Sequence, residues 1–249
     1  MKNKVIAMFA VLVMLAGLTG CGRLSALTER VPDPVRIKTV TVTEQTPDWK
    51  IDVKYPAVQG MEGQAGQDRL NRMLDASVKK DIQEIKAGAL ALKKDGQLRY
   101  PFELVAVYRV SYNQHGLLSF TTETYQYTNG AHGMTYRVSY NYDTVKGQPL
   151  MLKDLFVSDY SGLDKTVAEV IRQIKQKPDI FFPTAAEDVK KAKPSFYLTG
   201  KGLVVYYGLY ELAPYAAGFS EFSIPYRFYA GNLVYEVLNK AGLDEKESV

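Results

Sequence analysis

The sequence predicts an α+β protein with largely antiparallel sheets and two main amphipathic helices packed against them, organised as a two-part domain. Three observations predict it. Several runs alternate apolar and polar residues with period two, two longer segments repeat their apolar residues every three to four positions, and turns of a few residues, most with glycine, separate neighbouring runs. The order two strands, helix, three strands, helix, three strands leaves mostly short connections, which suit antiparallel neighbours.

The first element is a leader. Lys2 and Lys4 precede an uncharged apolar run, Val5 to Leu18, which closes with Leu18-Thr19-Gly20-Cys21. This is the layout of a secretory signal, and the run is shorter than the roughly 20 apolar residues that a spanning helix needs. The closing tetrad resembles the lipobox of bacterial lipoproteins, in which the cysteine receives diacylglycerol and becomes the first mature residue. Residues 1–20 are therefore expected to be a lipoprotein signal peptide and Cys21 the lipid attachment site. As the one cysteine of the chain, it has no partner for an internal disulfide. Acyl chains on Cys21 would hold the protein on the cell membrane or outer membrane, facing outside the cytoplasm. Residues 21–34, with Pro32 and Pro34 and no periodicity, read as a tether.

A small α+β subdomain is expected over 35–100. Val35, Ile37, Thr39, Thr41 and Thr43 share one face of a strand; Trp49, Ile51 and Val53 continue in a second, ended by Tyr55-Pro56. Leu70, Leu74, Val78, Ile82, Ile85, Ala89 and Leu92 then form one stripe of a long helix with a mostly basic, solvated back. A larger α+β domain follows over 101–238. Its first three strands lie between Pro101 and Asp143. In the third, Met134, Tyr136, Val138, Tyr140 and Tyr142 are expected to pack while Arg137, Ser139 and Asn141 face water. A second helix starts at an approximate capping box, Ser161 to Asp164, and stops before Pro178. Ala185 to Ala192 add a helical turn, and Phe196–Thr199 with Leu203–Leu212 make a hairpin. The last strand, Phe219–Phe228, points Phe222, Ile224, Tyr226 and Phe228 inward, and Pro225 places it at an edge. Residues 239–249 read as a charged, frayed tail.

The chemistry-bearing residues are few. With 249 residues, 46% hydrophobic and 23% charged, the chain can fill a core, and its net charge of +4 is too small for a nucleic-acid footprint, so no nucleic-acid partner is expected. Two histidines, His115 and His132, and no thiol beyond Cys21 make a metal site improbable, and no phosphate-cradling or nucleophile-elbow motif occurs, so no cofactor or enzymatic activity is expected. His132 lies in the loop Asn129-Gly130-Ala131-His132-Gly133, where bracketing glycines free the backbone path. Glu211 lies beside Pro214-Tyr215-Ala216-Ala217-Gly218. The tyrosines form two blocks, Tyr100–Tyr142 and Tyr197–Tyr235, and suit both half-buried strands and binding surfaces.

Two stretches carry a family resemblance. Tyr125 to Gly133 followed by Asn141-Tyr142-Asp143, Gly147 and Leu152-Lys153-Asp154-Leu155-Phe156, and Phe196 to Gly218 with its Ala-Pro-Tyr-Ala-Ala-Gly loop, resemble the RsiV-like extracytoplasmic domain, also found beside the deacetylase of PdaC. Residues 36–85 are similar to the smaller domain that precedes it. The resemblance implies the fold and an envelope-side binding role toward lysozyme or peptidoglycan. Sigma-factor control and deacetylation are not implied, because the segments that carry those activities in the family have no counterpart in this sequence. The expected binding residues are Tyr127, Asn129, His132, Glu211 and Tyr215. Two alternatives stay open: a cell-wall glycan hydrolase using His132 with Glu211, and a purely structural envelope lipoprotein.

Overall fold

The computed structural model describes residues 30–244, and the described chain from Val31 forms one compact unit with two hydrophobic cores among the described residues. The leader and Cys21 lie outside the described residues. No helix among the described residues is long and apolar enough to cross a membrane.

A six-stranded sheet takes the first half of this unit. Strands β1 (Arg36–Gln45) and β2 (Trp49–Gln59) form a hairpin, and Thr46 Oγ1 closes its turn by accepting the amides of Asp48 and Trp49. Helix α1 (Gln64–Lys94) crosses over and lets β3 (Phe102–Gln114) pair parallel with β2. Then β4 (Leu117–Tyr127), β5 (Met134–Asp143) and the two-residue β6 (Gln148–Pro149) follow, each antiparallel to the one before. The predicted stripe of α1 buries Leu70, Leu74, Ile85 and Ala89 over Ile51, Val53, Leu104 and Phe120.

The second half holds α2 (Gly162–Lys175), α3 (Ala185–Lys191), a three-stranded antiparallel sheet of β7 (Ser195–Leu198), β8 (Gly202–Tyr207) and β9 (Ser220–Pro225), and α4 (Glu236–Asp244). Val170, Ile174, Phe196, Val205, Phe222, Ile224 and Tyr229 build its core. The predicted fold class holds: mixed α+β, with two mostly antiparallel sheets and four helices among the described residues, of which two were expected as main helices.

The two sheets meet through side chains. Strand β7 is an edge strand, and its free backbone groups reach the large sheet: Leu198 N–H donates to Ser119 Oγ (2.9 Å) and Asn141 Nδ2 donates to the Phe196 carbonyl (2.8 Å). Ser119 Oγ in turn donates to Asn141 Oδ1 (2.7 Å).

This joint corrects the expected faces of β5. Arg137 is half-buried and Asn141 buried because that face carries the small sheet, whereas Tyr136 and Val138 are exposed because α1 covers the middle of the large sheet and not its β5 flank. Other differences are local. Strand β2 runs through Pro56, beyond its last pairing with β3 at Val53, where one side of the strand is open and a proline sacrifices no ladder bond there. Ser161 makes no side-chain cap. Strand β8 ends at Tyr207, since Tyr210 takes a left-handed conformation (φ 65°). Phe228 is exposed because the chain turns into a 3₁₀ segment at Tyr226–Tyr229, ending the period-two alternation. The tail is helical as far as Asp244, as part of α4, and Asn239 ties that helix to Leu233, its Oδ1 accepting the N–H and its Nδ2 donating to the carbonyl.

Candidate functional site

Where the small sheet stands on the large one, the register of the strands assembles a polar cleft. Pairing places Arg109 opposite Thr121, Val107 opposite Glu123, and Glu123 opposite Arg137, so these side chains share the face away from α1. Across the cleft stand Tyr197 and Thr199, at the end of β7, and Glu221 of β9. Together with Ser111 they line an open cavity of about 360 Å³.

Arg137 organises it. Its guanidinium pairs with Glu123 (2.7 Å) and with Glu221, and it lies over the rings of Phe219 (4.1 Å) and Tyr206 (5.3 Å). Burial alone would favour the neutral form of Arg137, yet the bonds to Glu221 and Glu123 outweigh it and hold the group firmly cationic. The hydroxyl of Tyr197 donates to Glu221, and burial followed by the charge of Glu221 pushes its pKa up, so it stays a donor. Arg109 points into the cleft without an ion pair or hydrogen bond among the described residues. The cleft thus offers carboxylates as acceptors, hydroxyls of both kinds, one fixed and one free guanidinium, and aromatic faces.

The sequence-predicted residues sit at one end of this region. Tyr127 closes β4, half-exposed, and pairs with Glu103. The rings of His132 and Tyr215 lie 5.0 Å apart and those of Tyr215 and Tyr210 5.5 Å apart, so the two glycine-bearing loops converge as a small aromatic cluster. His132 Nδ1 and Tyr215 Oη both donate to the Gly133 carbonyl. Gly133 itself is packed against the ring of Tyr125, with no room for a Cβ. Asn129 acts as a brace: with φ at 70°, its side chain accepts the amides of Arg99 and Tyr100 and donates to the Gln97 carbonyl. Glu211 is exposed and turned toward Gly208 and Tyr207, and neither a hydrogen bond nor an ion pair joins it to His132. Among the described residues no three His, Cys, Asp or Glu side chains gather as a metal site would require.

Sequence reading missed the Arg137 cleft. The available signal was a charged residue, Arg137, inside a run of Tyr and Val; its partners Glu123 and Glu221 are set by strand register and by tertiary packing, which the sequence does not print.

Residues 42–135 match the family described as Deacetylase PdaC, and residues 153–227 match the one described as Protein of unknown function (DUF3298). No curated protein matches the chain. Among solved structures, a DUF3298 family member from Bacteroides fragilis aligns with a TM-score of 0.62 and 22% identity over 85% of this chain and 99% of that one. A DUF3298 family protein from Pseudomonas aeruginosa aligns with a TM-score of 0.56 and 21% identity over 84% and 98%. At these identities the likeness is one of fold. The first match spans the end of β1 and then β2, α1, β3 and β4, and the second spans α2, α3 and the small sheet, so the chain is similar to the PdaC family over one stretch and to the DUF3298 family over the next.

Proposed function

We propose that this chain is a lipid-anchored, extracytoplasmic binding protein whose cleft around Arg137 takes peptidoglycan fragments. Domains of this family suggest an envelope-associated location, and a lipid on Cys21 would provide the attachment. The observation that carries the reading is the cleft's mixture of groups. Sugar hydroxyls need acceptors such as Glu123 and Glu221 and donors such as Tyr197, and the apolar face of a pyranose ring suits an aromatic wall. A muramyl or peptide carboxylate would find Arg109, the one guanidinium there with no carboxylate partner. The reading is one of binding and not turnover because His132 and Glu211 stand apart.

Titration calorimetry of Val31–Val249 with a soluble muropeptide tests it. Arg109→Gln is expected to weaken binding by about tenfold, the worth of one charge-assisted hydrogen bond, and Tyr215→Ala by less, with the fold unchanged. Equal affinity for the muropeptide in Arg109→Gln would remove the cleft from the site. Binding to c-type lysozyme alone would make the partner a muramidase. Release of acetate or of reducing ends from the muropeptide would replace binding by catalysis. Separately, Cys21→Ala is expected to move the full-length protein out of the membrane fraction.

A further inference from the structure

A second groove shares no lining residue with the cleft. Met73 of α1, Tyr140 of β5, Leu150, Met151, Leu163 of α2 and Pro194 line an apolar groove of about 700 Å³. Three of these come from separate elements and yet leave large apolar side chains in solvent: Met73 is 46% exposed, Met151 56% and Leu163 40%. Burial of such groups normally drives packing, so a convergent, uncovered set marks an interaction surface. The only charged residues that line it are Lys153 and Lys193. Neither has an ion pair among the described residues, and no carboxylate faces the groove.

Its position in the chain narrows the occupant. The described chain enters the fold at the same end. Val35 is clasped by Asn113, through N–H to Oδ1 and Nδ2 to carbonyl, and Pro32 approaches Gly116 beside Val145. The turn containing Val145 leads directly into Pro149, where the groove begins. Val31 and Val145 add exposed apolar surface there. Cys21 precedes Val31 by so few residues that an extended chain could hold this end no farther than about 35 Å from a lipid on Cys21.

We infer that the groove seats an acyl chain of an anionic membrane lipid, with Lys153 and Lys193 on its headgroup, so that this end of the protein docks on the bilayer. Nearness to the bilayer rests on the anchor proposed at Cys21, whereas the chemistry of the groove does not. Met and Leu side chains with rotatable stems adapt to a flexible hydrocarbon, and two uncompensated ammonium groups at the rim complement a phosphate.

The test is sedimentation of Val31–Val249 with vesicles of phosphatidylcholine alone or mixed with phosphatidylglycerol. Binding is expected to the mixed vesicles only. Lys153→Glu with Lys193→Glu is expected to lower it by about thirtyfold, and Met151→Asp with Leu163→Asp to lower it comparably. All four side chains are exposed, so the variants should fold, and circular dichroism checks this. Lys94→Glu with Lys201→Glu, exposed lysines away from the groove, should change binding by less than about threefold. Equal binding to both vesicle types, or an equal loss in this control pair, overturns the proposal. So does binding of an acidic apolar peptide with no response to either vesicle, which would assign the groove to a protein partner. Because Cys21 is absent from this experiment, its result and that of Cys21→Ala in the full chain can fail independently.

Discussion

Ser119 is fully buried at the meeting of the sheets and has every bond it can make: it accepts from Leu198 N–H and from Ser111 Oγ, and donates to Asn141 Oδ1. Ser119→Ala would strand a buried amide and a buried carbonyl oxygen, so urea denaturation is expected to show a loss of about 2–3 kcal/mol. Tyr207 is the converse. Its ring is 2% exposed and its hydroxyl is the one buried side-chain polar atom among the described residues with no hydrogen-bond partner. Tyr207→Phe is therefore expected to be neutral or to raise stability by about 1 kcal/mol at pH 7, read as unchanged or higher Tm. Burial, and secondarily the charge of Glu211, pushes the Tyr207 pKa up to about 12 from the usual 10. An acid whose folded pKa is raised keeps its proton longer in the folded state. Its contribution is thus complete below pH 10 and is lost between about pH 10 and 12. The fall in stability over that window should be shallower in Tyr207→Phe.

At the level of elements, α1 is held at its start by close backbone packing. A Cβ on Gly66 would fall inside the van der Waals shell of the Gly147 carbonyl, and one on Gly63 would meet the Lys146–Gly147 backbone. Intrinsic propensity favours Gly66→Ala by about 1 kcal/mol, but the neighbour is backbone and cannot swing away. The expected outcome is a net loss of about 2–4 kcal/mol in chemical denaturation. Periodicity made most elements legible: β3, β4 and β5 fill the stretch read as three strands between Pro101 and Asp143, and Leu70, Leu74, Ile85 and Ala89 of the α1 stripe are buried. The misreading that bears on the site is in β5. Its face of Thr135, Arg137, Ser139 and Asn141 is polar and by alternation belongs to water, but burial depends on where a distant segment lands, and β7 covers Asn141. The loops at His132 and Tyr215 were legible because local motifs encode them, and their rings do meet. The Arg137 cleft was not, because it exists only once register and docking are fixed.

For the whole molecule, the two cores are linked by the network of Ser119, Asn141 and β7 and by the ion cluster at Arg137. Val31–Val249 is therefore expected to unfold in one calorimetric transition. Asn141→Ala, which frees the edge of β7, should separate this into two, the second half melting first because its sheet has only three short strands. The same joint also bears on the order in which the protein is made. The chain emerges N-terminus first, so the six-stranded sheet, complete by Pro149, can close before Ser195 becomes available. The side chains that satisfy β7 are then already in place when it arrives. An edge strand that would otherwise be an open template for a neighbouring chain is matched on arrival by a prepared set of donors and acceptors. Crowded nascent chains consequently have little time in which to exchange their second halves.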